Sequence, residues 1–137
     1  MADLSITATS VAPGSGSVTI DVTSGATITA GKACYVSSSD GKAYLADTNS
    51  ATAEVRSLRG VALNAASSGQ PVRLQTSGQI AIGATVTVGT IYVLSATAGG
   101  IAPVTDLASG HYTSIVGVGL TSSVIGLNIY NSGVAVP

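Results

Sequence analysis

Apolar side chains recur at every second position along many short segments of this chain, and this period constrains its fold more than any other feature. In Ser17–Val22, Val18, Ile20 and Val22 alternate with polar residues and would share one face of an extended strand. The same pattern predicts further short strands at residues 26–29, 34–37, 42–46, 58–63, 71–76, 79–82, 85–88, 91–94, 113–118 and 124–130. Short strands at regular spacing predict an all-β domain, either a small β-barrel or a β-sandwich.

Turn and helix signals agree with this fold class. Asp40-Gly41 lies between two predicted strands and is a dipeptide that favours a tight β-hairpin. Helical periodicity is weak, because Gly, Thr and Val interrupt the windows that could form an amphipathic helix. The sequence predicts one helical turn, near Asn49–Glu54.

The chain also contains two similar segments, at a spacing of about 58 residues. The matching runs are residues 28–31 with 86–89, 34–37 with 92–95, 41–47 with 100–106, 60–63 with 117–120 and 77–82 with 132–136. Chance similarity is the alternative, since the chain uses few residue types. We interpret the pattern as two pseudo-repeated β-units, about residues 26–78 and 84–133, within a single β domain of residues 17–137.

Residues 1–16 differ from the rest and predict an extended N-terminal arm. Leu4, Ile6 and Val11 are its sparse apolar residues, and Pro13–Gly16 has the composition of a flexible connection. Our hypothesis is that the arm adds backbone hydrogen bonds to a sheet edge of another chain and buries its three apolar side chains there. The alternative is a disordered terminus.

Composition and charge argue against several classes of partner. Charged residues make up 8% of the chain, against about 25% in ordinary soluble domains. Five Lys and Arg against six Asp and Glu give a net charge of −1, so we expect no nucleic-acid partner. Gly, Thr and Ser interrupt the most apolar stretch, Ile80–Ala102, so we expect no membrane insertion. The first residues, Met1–Ser10, resemble no secretory signal, and we expect synthesis in a cytoplasm.

Residues able to perform catalysis are few and scattered, so we expect no enzyme. Asp106 is close to His111 in sequence, so the two could in principle act as the orienting group and the base of a catalytic triad with a nucleophile. A lone His beside Gly110 and Tyr112 more often lies in a loop or at the start of a strand.

No metal or cofactor is expected, because one His and one Cys cannot supply a zinc site. Cys34 falls on the apolar side of its predicted strand and is interpreted as a small buried hydrophobic residue. Arg56 and Arg59 flank a predicted strand and are either solvated charges or partners for acidic groups on a neighbouring subunit.

Four segments of the chain resemble the capsid cement, or head-decoration, proteins of tailed bacteriophages. The similarity covers about residues 25–105, and its segments are Ala30–Val36, Asp40–Asp47, Arg59–Leu63 and Gly69–Val72. The resemblance implies a small β-barrel or β-sandwich without an active site, often trimeric, that binds the outside of an assembled shell and braces its major capsid protein subunits. It also implies a location on the virion exterior after synthesis in the host cytoplasm.

The expected partners are therefore the major capsid protein and further copies of this chain, in a homotrimer. The expected contact residues are Leu4, Ile6, Val11, Arg56 and Arg59. The alternative function is a β-sandwich carbohydrate- or receptor-binding module of a phage tail or adhesin. The absence of Trp and Phe argues against that alternative, because such sites present aromatic platforms.

Overall fold

The computed structural model describes residues 3–137 of the chain. Strands dominate these residues, no α-helix occurs among them, and the antiparallel sheet curls into a half-barrel, so the all-β prediction is confirmed. The strands are β1 (Val11–Pro13), β2 (Val18–Thr23), β3 (Ala33–Val36), β4 (Ala43–Leu45), β5 (Gly60–Ala62), β6 (Pro71–Ile82), β7 (Ile91–Leu94), β8 (Ile101–Pro103), β9 (Tyr112–Gly119) and β10 (Val124–Ala135).

Strand β6 is the centre of the sheet, because it changes partners along its length. Its first half pairs with β2 on one edge and with β5 on the other. Its second half pairs with β1 and with β10. The main path through the sheet is β4-β3-β5-β6-β10-β9-β7-β8, so β6 joins two curled parts that each surround a core.

The first curled part contains β2, the first half of β6, β5, β3 and β4. Its ends approach each other, since Ser24 forms a parallel bridge with Ala43 and the Gly25 N–H donates to the Ala43 carbonyl at 2.9 Å. The core inside this part is built from small and branched side chains, namely Ile28, Cys34, Ala43, Ala62, Ala66, Val72 and Leu74.

The second curled part contains β1, the second half of β6, β10, β9, β7 and β8. Its core is larger and reaches the first part through residues of β3 and β5. The core residues are Ala33, Ala46, Leu58, Val61, Ile80, Ile82, Val86, Tyr92, Leu94, Ile101, Val116, Ile125 and Leu127.

The two pseudo-repeated units have the same strand order. Strands β3 and β4 form a hairpin in which Cys34, Tyr35 and Val36 pair across the turn, and β7 and β8 form the equivalent hairpin. Each hairpin pairs next with one strand, β5 or β9, which pairs in turn with a twelve-residue strand, β6 or β10. The correspondence extends through every strand of the two units, which favours a repeat over chance similarity.

Several local predictions differ from the structure. No helix forms near Asn49–Glu54, where the Asp47 and Ser50 side chains accept hydrogen bonds from nearby backbone N–H groups and stabilise turns instead. Two short 3₁₀ helices lie elsewhere, at Ala8–Ser10 and Val104–Asp106.

Three strand predictions also need correction. Residues 85–88 form no strand, because the Thr87 N–H donates to the Tyr92 hydroxyl rather than to a neighbouring strand. Residues 26–29 reduce to an isolated bridge between Ile28 and Ala66. Residues 71–76 and 79–82 belong to one continuous strand, β6.

Candidate interaction surfaces

The N-terminal arm, of which the structure describes residues 3–16, lies against this chain's own body. The Leu4 N–H donates to the Ile101 carbonyl of β8 at 2.7 Å, and the Thr7 N–H donates to the Gly83 carbonyl after β6 at 2.8 Å. Leu4, Ile6 and Val11 are half-buried and pack against the core of the second curled part. The sequence hypothesis placed these side chains and backbone hydrogen bonds on another chain, whereas in this structure the same chain accepts them.

The predicted flexible connection is also partly paired. Pro13 belongs to β1 opposite Ile80, and the Gly14 N–H donates to the Gln79 carbonyl at 2.8 Å. The Gln79 N–H donates to the Ser15 carbonyl at 2.9 Å, so backbone pairing continues into the connection. The physical reason is that β6 is long enough to offer one edge to both β1 and β2.

Glycines form the floor of the groove that holds the arm. A Cβ atom added at Gly31, Gly83 or Gly100 would approach Ile6, Thr7 or Asp3, respectively, closer than 3.0 Å. Real Cβ atoms essentially never show such a separation. The arm groove, defined by these three glycines and by β8, therefore has the shape of the arm backbone and of its Ile6 side chain.

The arm occupies a position that has no counterpart in the first unit. There, Gly25 bonds directly to Ala43. By hairpin register, in which Val36 pairs with Ala43 and Leu94 pairs with Ile101, the residue of the second unit equivalent to Ala43 is Ile101. Gly83 takes the place of Gly25, and the carbonyls of Gly83 and Ile101 both bond to the arm. The arm thus connects the two sides of the second curled part.

A second surface lies on the outside of β7, β9 and β10, and we call it the outer apolar face. It consists of Ile91, Ile115, Val118 and Tyr130, of which Ile91 is 40%, Val118 36% and Tyr130 64% exposed. Ile91 pairs with Val118 and Tyr130 pairs with Ile115 across neighbouring strands, which places each pair on one side of the sheet. Gly117 lies between them and lines a shallow groove.

This face lies in the part of the chain that is poorest in charge. Asp106 is the only Asp, Glu, Lys or Arg after Arg73. The remaining charges lie between residues 3 and 73, where Arg73 Nε donates to Asp21 Oδ1 at 2.9 Å and this hydrogen bond lowers the pKa of Asp21. The outer apolar face therefore offers apolar contact with little competing charge.

The two predicted contact arginines have different environments. The Arg56 guanidinium lies 3.5 Å from the centre of the Tyr112 ring, and its Nη1 donates to the Ser50 carbonyl at 3.1 Å. These contacts hold Arg56 within its own chain, in a cation–π geometry. Arg59 is exposed. The structure does not bring either arginine to the outer apolar face.

Asp106 and His111 line a common cavity, to which the arm adds Asp3. The Ser95 hydroxyl donates to Asp3 Oδ1 at 2.5 Å, and the Ala108 N–H donates to His111 Nδ1 at 3.2 Å. Asp106 Oδ1 is buried without a hydrogen-bond partner among the described residues. Among the described residues, neither hydroxyl residue that lines the cavity, Ser95 or Thr97, forms a hydrogen bond with His111. Within residues 3–137, no three His, Cys, Asp or Glu side chains are grouped as metal ligands.

A stacked tyrosine pair is the described feature most relevant to carbohydrate binding. Tyr35 and Tyr44 face each other across the β3–β4 hairpin, with their ring centres 5.7 Å apart. The Tyr44 hydroxyl donates to Asp40 Oδ2 at 2.6 Å, and this hydrogen bond lowers the pKa of Asp40 and raises that of Tyr44. Since the rings cover each other, only their outer surfaces are open to a ligand.

The described part of the chain contains no helix long and apolar enough to cross a bilayer. Comparisons with protein-family models, with curated proteins and with solved structures found no match to this chain.

Proposed function

We propose that this protein is a structural virion protein that binds the outer surface of an assembled phage capsid and stabilises contacts between major capsid protein subunits. The observation that carries the proposal is the outer apolar face. Its Ile91, Val118 and Tyr130 side chains are exposed together on three strands, β7, β9 and β10, that contain no charged residue. Exposed apolar clusters on soluble domains commonly mark surfaces that contact other proteins.

The chemistry of the face suits contact with a regular protein shell. Burying a Val, an Ile or a similar apolar side chain stabilises a complex by about 1.5–3 kcal/mol before the costs of association. One such face therefore supports a modest affinity. Several faces held together in a homotrimer would bind a repeating lattice much more tightly, because later contacts become intramolecular. The resemblance of residues 25–105 to capsid cement proteins supports the same assignment.

Co-sedimentation with undecorated phage capsids tests the proposal. We expect Val118→Lys and Tyr130→Lys each to weaken shell binding by at least about tenfold, because a buried lysine charge must be desolvated. Val18→Lys is the matched control, since Val18 is 53% exposed on β2 and lies outside the outer apolar face. Circular dichroism and a thermal melt establish that each variant is folded.

Unchanged binding by both folded face variants would exclude the outer apolar face as the contact surface. A protein that binds no shell but binds glycans on an array would instead support the carbohydrate-binding alternative. In that case Tyr44→Ala should abolish glycan binding, because it removes one ring of the tyrosine pair.

A further inference from the structure

We propose that the arm groove is a strand-acceptor site for the arm of a second copy, so that copies of this protein link by exchanging their N-terminal arms. This inference does not depend on capsid binding. The structure shows the contacts between the arm and the arm groove within one chain. We propose that the same contacts also form between two chains.

The groove recognises the arm by contacts that any copy of the arm could make. Its backbone acceptors are the Ile101 and Gly83 carbonyls, which bind the Leu4 and Thr7 N–H groups. Its glycine floor leaves room for Ile6. None of these contacts requires that the arm and the groove belong to the same chain. An extended segment that adds hydrogen bonds to sheet edges, with side chains in fitted pockets, is a recurring mode of peptide recognition.

The second curled part is incomplete without an added segment. The first unit joins Gly25 directly to Ala43, whereas Gly83 and Ile101 meet only through the arm. Removal of the arm would leave both carbonyls without these partners and would uncover the core residues beneath Leu4 and Ile6. An arm from a second copy restores the same contacts.

The connection between the arm and the body allows such an exchange. Residues 14–17 are exposed, and Gly16 has a φ of 71° with open space on the side where a Cβ atom would stand. The backbone bonds of Gly14 and Ser15 to Gln79, and the close packing of the Gly16 carbonyl against Gly78, must rearrange in the exchange. Because a tethered arm has a high effective concentration at its own groove, exchange should increase with protein concentration.

Short-range cross-linking between two full-length copies tests the proposal. One copy carries Ser10→Cys on the arm and the other, with a mass tag, carries Ser123→Cys on the body, since both side chains are exposed and line one surface cleft. Cys34 stays in both copies, because it is buried and inaccessible to a bis-maleimide. The two copies are mixed at high concentration, incubated and then treated with a short bis-maleimide. We expect them to form a cross-linked heterodimer. Its yield should rise with protein concentration.

Two controls separate arm exchange from random collision. A single chain that carries both substitutions should cross-link internally, which shows that the reagent spans the two positions. Adding Ile6→Asp to the Ser10→Cys copy should reduce the heterodimer strongly, because a carboxylate cannot fill the apolar pocket at Gly31. Internal cross-linking without any heterodimer at any concentration, or a heterodimer that Ile6→Asp leaves unchanged, would overturn the proposal.

A second measurement uses a synthetic peptide of residues 2–13. We expect the peptide to bind a folded variant that lacks residues 2–12, at a ratio of one to one, and to bind the intact protein much more weakly because its groove is filled. An Ile6→Asp peptide is the control. If the truncated variant does not fold, the cross-linking result alone decides. A folded truncated variant that fails to bind the peptide also counts against the proposal.

Discussion

Cys34 shows how strongly a local environment can restrict a reactive side chain. Its thiol is fully buried in the core of the first curled part, with its Sγ 3.5 Å from the Lys32 carbonyl. Burial raises the pKa of Cys34 from 9.0 to about 12, because a thiolate would be desolvated there. The residue therefore behaves as the small hydrophobic side chain that its position in the strand pattern predicts.

Replacing Cys34 with Ser should lower the free energy of unfolding by about 1–3 kcal/mol, because a hydroxyl is placed in an apolar site. Chemical denaturation measures this change, and shell binding should remain intact in the folded variant.

The raised pKa of Cys34 also gives the wild type a contribution to stability that is complete below pH 9.0 and is lost as the pH rises toward about 12. Cys34→Ala is the control that lacks this contribution. Equal alkaline destabilisation of both proteins would contradict the assigned cause.

Gln75 is a second residue whose role only the three-dimensional structure reveals. Its side chain is fully buried where β6 changes partners, and Nε2 donates to the Ser77 and Gln79 carbonyls at 3.1 and 2.8 Å. The alternating pattern places Gln75 among the polar positions of a strand. Its burial follows from the junction of the two curled parts, which no local pattern encodes.

At the level of elements, the arm is the segment whose seating depends most on the surrounding glycines. Gly83→Ala should displace it, because Gly83 has a φ of 71° and an added Cβ would meet the Thr7 carbonyl oxygen. Hydrogen exchange of the Leu4 and Thr7 amides should then become much faster than in the wild type. Gly89→Ala is the control, since Gly89 also has a positive φ but has open space around it. Comparable exchange in both variants would show that backbone strain, rather than arm contact, matters.

The sequence predicted the strands of this fold better than their connections. Alternation identified β2, β3 and β7 closely, and Asp40-Gly41 correctly indicated the β3–β4 hairpin. It missed β8, a strand of three residues that ends in proline and is too short to show a period. The position of the arm on its own chain could not be predicted from the sequence either, because three sparse apolar residues do not indicate which chain they pack against.

One strand of the outer apolar face is indicated by the sequence itself. Ile91–Leu94 is a continuous apolar run, which indicates a strand with apolar residues on both faces. Val93 on the outer side is covered, whereas Ile91 remains exposed. Which part of such a run stays exposed depends on loops that cross the sheet, and these are set by tertiary packing.

At the scale of the whole molecule, charge and apolar exposure are separated between the two units. The first unit carries all five lysines and arginines and three of the six carboxylates, whereas the second carries the outer apolar face and one charged residue, Asp106. A partner that contacts the second unit would experience weak electrostatic attraction and mainly apolar contact. A partner that contacts Arg59 in the first unit would instead depend on charge.

If the outer apolar face is the surface that contacts the shell, this separation predicts that shell binding is insensitive to salt. We expect the affinity to change by less than about threefold between roughly 0.05 and 0.5 M NaCl, because screening weakens charge pairs but leaves apolar burial intact. Co-sedimentation with undecorated capsids at several salt concentrations measures this dependence.

If exposed Arg59 instead pairs with acidic groups on the shell, the affinity should fall steeply with salt, and Arg59→Ala should remove most of that fall. Arg56→Ala provides the comparison, since Arg56 already contacts Tyr112 and Ser50 in its own chain. A steep salt dependence that Arg59→Ala abolishes would move the contact surface from the second unit to the first.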